Sequence, residues 1–99
     1  MKVVFTRGAE AALEQIGDYI AQDNPSRALS FVHELREKSL GLADMPEAFP
    51  LVPRYARLGI RRRVHGDYLI LYQVAAREIT ILLVAHGARD YDRLLDEEG

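Results

Sequence analysis

Three histidines and a cluster of arginines are the side chains in this sequence best suited to acid–base chemistry or to binding an anion. The histidines His33, His65 and His86 lie far apart, and no two have the i, i+4 spacing with which a helix presents a pair of metal ligands. The chain has no cysteine, which excludes disulfides and thiolate metal sites. No glycine-rich loop precedes a helix, so nucleotide binding has no support. We therefore predict neither a metal site nor a cofactor.

His86 is the candidate for acid–base work among the three histidines. It follows the last apolar run and lies three residues before Arg89. The competing interpretation is a histidine at a strand end that bonds only to backbone groups. His33 is predicted on the surface of a helix, and His65 is predicted in a turn.

Arginines concentrate between Arg54 and Arg63, where the sequence has five of them and no acidic residue. The planar guanidinium matches carboxylate or phosphate groups and is weakly hydrated, so it suits a partner surface. Arg61, Arg62 and Arg63 are consecutive within a predicted strand, and successive side chains of a strand point to opposite faces. Either Arg62 alone or Arg61 together with Arg63 therefore faces a partner. A run of charge on an edge strand also protects against edge-to-edge aggregation, which is the alternative explanation.

Length and composition predict a single domain spanning residues 1–99. Hydrophobic residues make up 48% and charged residues 28% of the chain, which is ordinary for a globular protein. The net charge of −2 argues against a general nucleic-acid coat protein, and we expect no direct sequence-specific binding of nucleic acid. No apolar run approaches the ~20 residues of a membrane span, and the first apolar run is too short for a signal peptide. The predicted location is the cytoplasm.

The first half of the chain predicts one short strand and two amphipathic helices. Residues 3–5 are β-branched or aromatic and form the strand. Thr6 can cap a helix that ends near Gln22, and Asn24-Pro25 begins a second helix that runs to about Ala43. Because the connection is short, the two helices should pack antiparallel on another element.

The second half predicts three strands, at residues 59–65, 68–75 and 78–85, after a proline-rich loop at 45–53. His65-Gly66-Asp67 forms the turn between the first two of these strands. The resulting order β-α-α-β-β-β is α+β, with an N-terminal helical hairpin packed on a small antiparallel sheet. A last turn is possible at residues 91–95.

The second and third of these strands are apolar on both faces. One face receives the helices, and the other is either covered by a partner or exposed, which monomers rarely tolerate. Leu69 and Leu71 are expected on the face that a partner covers.

Five segments in the same order resemble the ParE branch of the RelE/ParE toxin–antitoxin superfamily. They are Ala12-Leu13-x-x-Ile16-x-x-Tyr19-Ile20, Asn24-Pro25-x-x-Ala28, Gly59-Ile60-Arg61, Asp67-Tyr68-Leu69-Ile70-x-Tyr72-x-Val74 and Ile79-x-Ile81-Leu82-x-Val84-x-His86-Gly87-Ala88-Arg89. The resemblance extends over residues 3–90. It implies a toxin that inhibits DNA gyrase, and a ParD-type antitoxin whose C-terminal segment wraps the toxin in a hetero-oligomer.

The alternative within the superfamily is a RelE-type, ribosome-dependent mRNA endonuclease. Such a toxin needs several cations around the scissile phosphate and a C-terminal aromatic residue. This chain keeps Arg62 and Arg89, but Ile60 and Leu69 replace further cations and Leu95 replaces the aromatic residue. Two cations leave little electrostatic stabilisation for phosphate chemistry, so we expect an inhibitor and no enzyme. A third possibility is a non-toxic module that only binds an antitoxin.

No catalytic residue is predicted, because ParE toxins, as the resemblance implies, lack a conventional catalytic site. Charge and expected exposure select the candidate residues for binding a partner or target, which are Arg61, Arg62, Arg63, Leu69, Leu71, His86 and Arg89. Arg89 carries most weight, because it follows the last strand and Gly87 permits a sharp change of direction there. Its alternative role is an ion pair with Asp90 or Asp92.

Overall fold

The computed structural model of the chain describes residues 1–87 and places two helices on one face of a four-stranded sheet. The elements are β1 (Lys2–Phe5), α1 (Arg7–Ala21), α2 (Pro25–Leu40), β2 (Ile60–His65), β3 (Tyr68–Val74) and β4 (Glu78–His86). The predicted α+β class and element order are confirmed. Two short 3-10 helices, Gly41–Asp44 and Pro53–Leu58, were not predicted. Arg89, Leu95 and the possible turn at 91–95 lie outside the described residues.

Both helices begin at the residues that the sequence indicates. The Thr6 hydroxyl accepts a hydrogen bond from the backbone N–H of Ala9 at 3.0 Å, which satisfies one of the unpaired donors of the first turn. Asn24 does the same for α2 by accepting from the N–H of Arg27 at 3.1 Å. The second helix ends at Leu40, three residues before the predicted end, because Gly41 begins a tighter 3-10 turn.

The sheet has the strand order β1-β4-β3-β2 and is mixed, although the sequence predicted an antiparallel sheet. The pairs β2–β3 and β3–β4 are antiparallel as expected, but β1 runs parallel to β4, from Lys2 opposite Glu78 to Phe5 opposite Ile81. A strand of four residues carries no sequence signal of its direction. Thr6, directly after β1, joins it to the middle of β4, since its hydroxyl donates to the carbonyl of Leu82 at 3.0 Å.

The main core lies between the helices and the sheet. Its fully buried members include Leu13 of α1, Leu35 of α2, Ile70 and Tyr72 of β3, and Ile79 and Ile81 of β4. The helices approach each other closely at Gly17, where a Cβ atom would lie 3.2 Å from a methyl group of Val32. This close approach brings the two helices together as a hairpin.

A second core cluster lies on the opposite face of the sheet, which we call the far face. It consists of Val52, Ile60, Leu69, Leu71, Leu83 and Ala85, with Tyr55 packed against it. Val52 and Tyr55 come from residues 45–58, between α2 and β2, which we call the covering segment. The sheet therefore has a hydrophobic layer on each side.

Polar groups of β2 and β3 hold the covering segment in place. The Tyr72 hydroxyl donates to the carbonyl of Pro46 at 2.9 Å. Two backbone hydrogen bonds continue the sheet beyond β2. The N–H of Val52 donates to the carbonyl of Ile60 at 2.8 Å, and the N–H of Arg62 donates to the carbonyl of Pro50 at 3.1 Å. Within residues 1–87, neither helix has the length and apolar character that crossing a membrane requires.

Replacing Tyr72 by phenylalanine should lower the free energy of unfolding by about 1–2 kcal/mol, because it removes a hydrogen bond from a buried hydroxyl and leaves the carbonyl of Pro46 without its donor. Urea unfolding followed by far-ultraviolet circular dichroism measures the change. Tyr19→Phe is the matched control, since the Tyr19 ring is exposed. Equal midpoints for both variants would show that this hydroxyl does not hold the covering segment.

Candidate partner-binding surface

The strand register separates the three consecutive arginines onto the two faces of the sheet. Arg61 lies opposite Tyr72 and Arg63 opposite Ile70, both of which face the helices. Arg62 lies opposite Leu71, which belongs to the far face. Since directly paired residues of antiparallel strands share a face, Arg62 projects alone on the far face.

Arg61 and Arg63 bind groups within the chain itself. The guanidinium of Arg61 donates to the carbonyl of Phe49 at 2.7 Å and lies 3.4 Å from that of Glu47. Arg63 donates to the carbonyl of Lys38 at 3.1 Å, and its guanidinium carbon lies 4.6 Å from the centre of the Phe49 ring. Arg61 therefore holds the chain between α2 and β2 against the sheet, and Arg63 bonds to the last turn of α2 while packing on Phe49.

Arg62 differs from the other two arginines in its contacts. Its side chain makes no hydrogen bond or ion pair with any residue between 1 and 87. Val64, two residues further along β2 and on the same face, is 61% exposed. The register thus separates Arg62 from Arg61 and Arg63, and which of the two faces meets a partner stays a prediction.

Leu69 and Leu71 do not form the open surface that the sequence predicted. Their exposed fractions are 6% and 0%, because the far face is packed by Val52 and Tyr55 of the covering segment. The expectation of a face left open for a partner is wrong at these two residues, since the chain supplies its own cover. The contact between an antitoxin and either leucine stays a prediction.

His86 is exposed at the end of β4, and its ring meets the edge of the Tyr68 ring with the centroids 5.0 Å apart. Together with Tyr19 and Tyr68 it lines a cleft of about 490 Å³ between α1 and the end of β4. No carboxylate of residues 1–87 pairs with it. His86 therefore lacks a charged partner in the described part of the chain that would orient it for acid–base work.

His65 is part of a polar network that the sequence did not indicate. Its Nε2 atom lies 2.9 Å from a carboxylate oxygen of Glu34, and the other oxygen of Glu34 lies 2.6 Å from Arg27. The His65 ring also stacks on Phe31, with 5.4 Å between the centroids. Two hydrogen bonds hold the pKa of Glu34 below its usual value, of which the bond from Arg27 has the larger effect and the bond from His65 the smaller. This network joins α2 to the end of β2, so His65 has a structural role.

His33 is exposed on α2, as predicted, and lies 3.9 Å from Glu37 on the next turn. Across residues 1–87, no group of three or more histidine, aspartate or glutamate side chains is arranged to hold a metal ion.

A groove along the outer side of the helical hairpin was not predicted from the sequence. It has a volume of about 980 Å³ and is lined by residues of both helices. Leu29 is 78% exposed at this groove, although it is a large apolar residue. The sequence carries one sign of this groove, because Leu29 is a large apolar residue of α2 that does not belong to the apolar stripe of that helix.

Comparison with known proteins identifies one family. A family model described as ParE toxin of type II toxin–antitoxin system, parDE, matches residues 3–91. Among solved structures, a protein described as a chromosomal ParDE TA system from P. aeruginosa superposes with a TM-score of 0.77. That match has 24% sequence identity and covers 89% of this chain and 97% of the other, so it shows a shared fold. No curated protein sequence matches.

Replacing Glu34 by glutamine should reduce stability at neutral pH and leave it unchanged in strong acid. The pKa of Glu34 is lowered in the folded chain, so its carboxylate stabilises the fold above the ordinary pKa of a glutamate. That contribution is lost as the pH falls through the lowered value. We expect the urea midpoint of the native chain to exceed that of Glu34→Gln at pH 7, and the difference to shrink as the pH falls below the ordinary pKa of a glutamate and to vanish in strong acid.

Glu37→Gln is the control for this titration, because Glu37 is an exposed glutamate of the same helix without an arginine partner in residues 1–87. It should show a smaller difference at pH 7. A gap between the native chain and Glu34→Gln that stays constant from pH 7 to pH 3 would contradict the assignment to the charged network.

Proposed function

This chain belongs to the family of ParE toxins of type II toxin–antitoxin systems, and from that premise we propose that it inhibits DNA gyrase and is neutralised by a ParD-type antitoxin. The match over residues 3–91 is the observation that carries the proposal. Toxin and antitoxin act together in the cytoplasm, where gyrase is found.

The burial of two residues supports an inhibitor over a ribonuclease. Ile60 and Leu69 stand at positions where a RelE-type toxin carries cations, and they are only 5% and 6% exposed within the far-face cluster. A cation there would lack both water and a counter-charge, so these positions suit packing and not phosphate binding. Stabilisation of a phosphate-centred transition state needs several preorganised cations, and Arg62 is the one member of the arginine triplet that faces outward.

We assign Arg62 to the antitoxin interface, because it is positively charged and makes no hydrogen bond or ion pair within residues 1–87. A guanidinium without an internal partner can pair with a carboxylate of an acidic antitoxin segment. Such a pair at the rim of an interface speeds association and adds specificity more than it adds affinity. Arg89 stays a candidate for the contact with gyrase, and toxicity of Arg89→Ala tests it.

The purified chain should inhibit supercoiling of relaxed plasmid by gyrase and leave ribosome-bound mRNA intact. The physical reason is the depleted set of cations around Arg62, which supports binding to a protein target better than phosphate cleavage. Agarose-gel supercoiling assays and primer extension on translated mRNA measure the two activities. Cleavage of mRNA without any effect on supercoiling would reverse the choice of target. If cells that express the chain grow normally and the chain still binds the antitoxin, it is a binding module without toxicity.

Arg62→Ala should keep the urea midpoint of the native chain and slow its association with the antitoxin at low salt. The side chain makes no internal bond in residues 1–87, so only the attraction to an acidic partner is lost. Stopped-flow fluorescence at two salt concentrations measures the association rate constant.

Two matched variants separate this effect from loss of charge or of folding. Arg77→Ala removes an arginine from the exposed turn between β3 and β4, and it should leave the rate unchanged. Arg61→Ala removes the bonds to Phe49 and Glu47 and should lower the free energy of unfolding by about 1–2 kcal/mol. Equal association rates for Arg62→Ala and the native chain would remove Arg62 from the interface.

A further inference from the structure

Three aromatic rings converge on the cleft between α1 and the end of β4, which we call the aromatic cleft. Tyr19 of α1 lines it and is 69% exposed. Tyr68 of β3 and His86 of β4 form another part of its wall, where the two rings meet edge to face with 5.0 Å between their centroids. The volume of about 490 Å³ falls within the range of about 300–1,000 Å³ that is typical of sites for organic groups.

No aspartate, glutamate, lysine or arginine of residues 1–87 lines the aromatic cleft, although these residues make up 28% of the chain. Its apolar lining includes Ala12 and Ile16 of α1 and Leu83 of β4. Glu14 and Asp18 of α1 line the groove on the outer side of the hairpin instead. Few charged residues together with several aromatic ones are typical of the buried centre of a protein interface. The composition of the cleft therefore indicates a surface that a protein partner covers.

The polar atoms at the aromatic cleft have no partner within the described part of the chain. The side chains of Gln15, Tyr19, Tyr68 and His86 form no hydrogen bond or ion pair with residues 1–87. Burial raises the pKa of the Tyr68 hydroxyl, and smaller contributions from Tyr19 and Asp67 act in the same direction, so this hydroxyl keeps its proton at neutral pH. A group that fills the cleft thus meets apolar surface together with donors and acceptors of hydrogen bonds.

We propose that the aromatic cleft is the surface with which the toxin holds its target, and that it accepts one tyrosine or tryptophan side chain of the target protein. Such a ring is apolar over its faces and carries one hydrogen-bonding group, which matches the lining of the cleft. Aromatic side chains that enter pockets are also common anchors of protein interfaces. The proposal rests on the proposed function in one respect, because gyrase is the target taken there.

Charge and position distinguish the aromatic cleft from the surface that we assign to the antitoxin. Arg62 lies on β2, which β3 separates from β4 in the sheet, whereas the cleft lies beside β4 and α1. An acidic segment that pairs with Arg62 finds no lysine or arginine of residues 1–87 in the lining of the cleft. His86 of the cleft is also only three residues before Arg89, the candidate for the contact with gyrase. The cleft and Arg89 therefore suit one partner, and Arg62 suits another.

Inhibition of gyrase by purified variants tests the cleft, with relaxed plasmid as the substrate and the concentration for half inhibition as the readout. Tyr19→Ala should raise that concentration about tenfold or more, because it removes a ring that packs on the side chain of the target. Tyr19→Phe keeps the ring and should stay within about threefold of the native chain. Gln15→Glu and Gln15→Lys should each raise the concentration about tenfold, because the bound side chain desolvates a charge of either sign.

Matched controls change exposed side chains that do not line the cleft. Gln22→Lys alters a glutamine at the end of α1, and Leu58→Ala shortens an exposed leucine of the covering segment. Both should inhibit gyrase within about twofold of the native chain. Tyr19→Ala and the two variants of Gln15 should bind the cognate antitoxin with an affinity within about twofold of the native value, as measured by fluorescence anisotropy. Circular dichroism checks that every variant is folded.

The outcomes separate the cleft from the broader function. Native-like inhibition by Tyr19→Ala and by both variants of Gln15 would overturn the cleft, while inhibition by the native chain would still support gyrase as the target. Failure of the native chain to inhibit gyrase would overturn the choice of target and this occupant with it.

Three further results would assign the cleft to another occupant and overturn the proposal. An equal loss of antitoxin binding and of inhibition in Tyr19→Ala would assign it to the antitoxin. A dimer of the native chain in sedimentation velocity that Tyr19→Ala dissociates would assign it to a second copy. Losses of the urea midpoint in Tyr19→Ala and Tyr91→Ala that do not add in the double variant would assign it to Tyr91 of the chain itself.

Discussion

Strands β3 and β4 carry large apolar side chains on both faces, and the two helices and the covering segment are placed so that they remove those faces from water. The helical hairpin covers Ile70, Tyr72 and Ile79 on one side. On the other side, Val52 and Tyr55 pack on the cluster that holds Leu71. Because burial of apolar surface is the main force in folding, a sheet of this kind requires two layers of cover. A segment that lacks regular strands or long helices supplies the second layer.

Polar side chains determine where that second layer lies, and this explains the unequal roles of three adjacent arginines. Alternation along β2 sends Arg61 and Arg63 to the side on which they bind backbone carbonyls of Phe49 and Lys38. The carbonyl of Phe49 lies in an irregular segment without a ladder to join, so Arg61 supplies its donor, whereas Lys38 belongs to the last turn of α2, which Arg63 thereby ties to the sheet. Arg62 points to the opposite side of the strand, so it is free of this task. One residue of register therefore decides which arginine holds the fold and which is available to a partner.

The sequence predicted those features that depend on neighbouring residues. Thr6 and the pair Asn24-Pro25 indicated the helix starts correctly, because capping acts within one turn. The direction of β1 and the contact between Glu34 and His65 were not predicted, because each joins elements that are distant in the chain. The sequence showed that the three arginines alternate between the faces of the sheet. It did not show which face Arg62 takes, because that depends on its pairing with Leu71 of another strand. The predicted exposure of Leu69 was wrong for a related reason, since a proline-rich loop gives no sign in its sequence that it will pack on a sheet.

The pairing of β1 with β4 has a consequence for how this protein is made. Thr6 and Leu82, which are 76 residues apart, are joined by a hydrogen bond where β1 ends beside the middle of β4. The first strand to leave the ribosome must therefore wait for the last one before it can pair. Contacts of such long range form slowly, because the intervening chain must be ordered first. Translation must therefore deliver both helices and the two intervening strands before β1 can pair with β4 and complete the sheet.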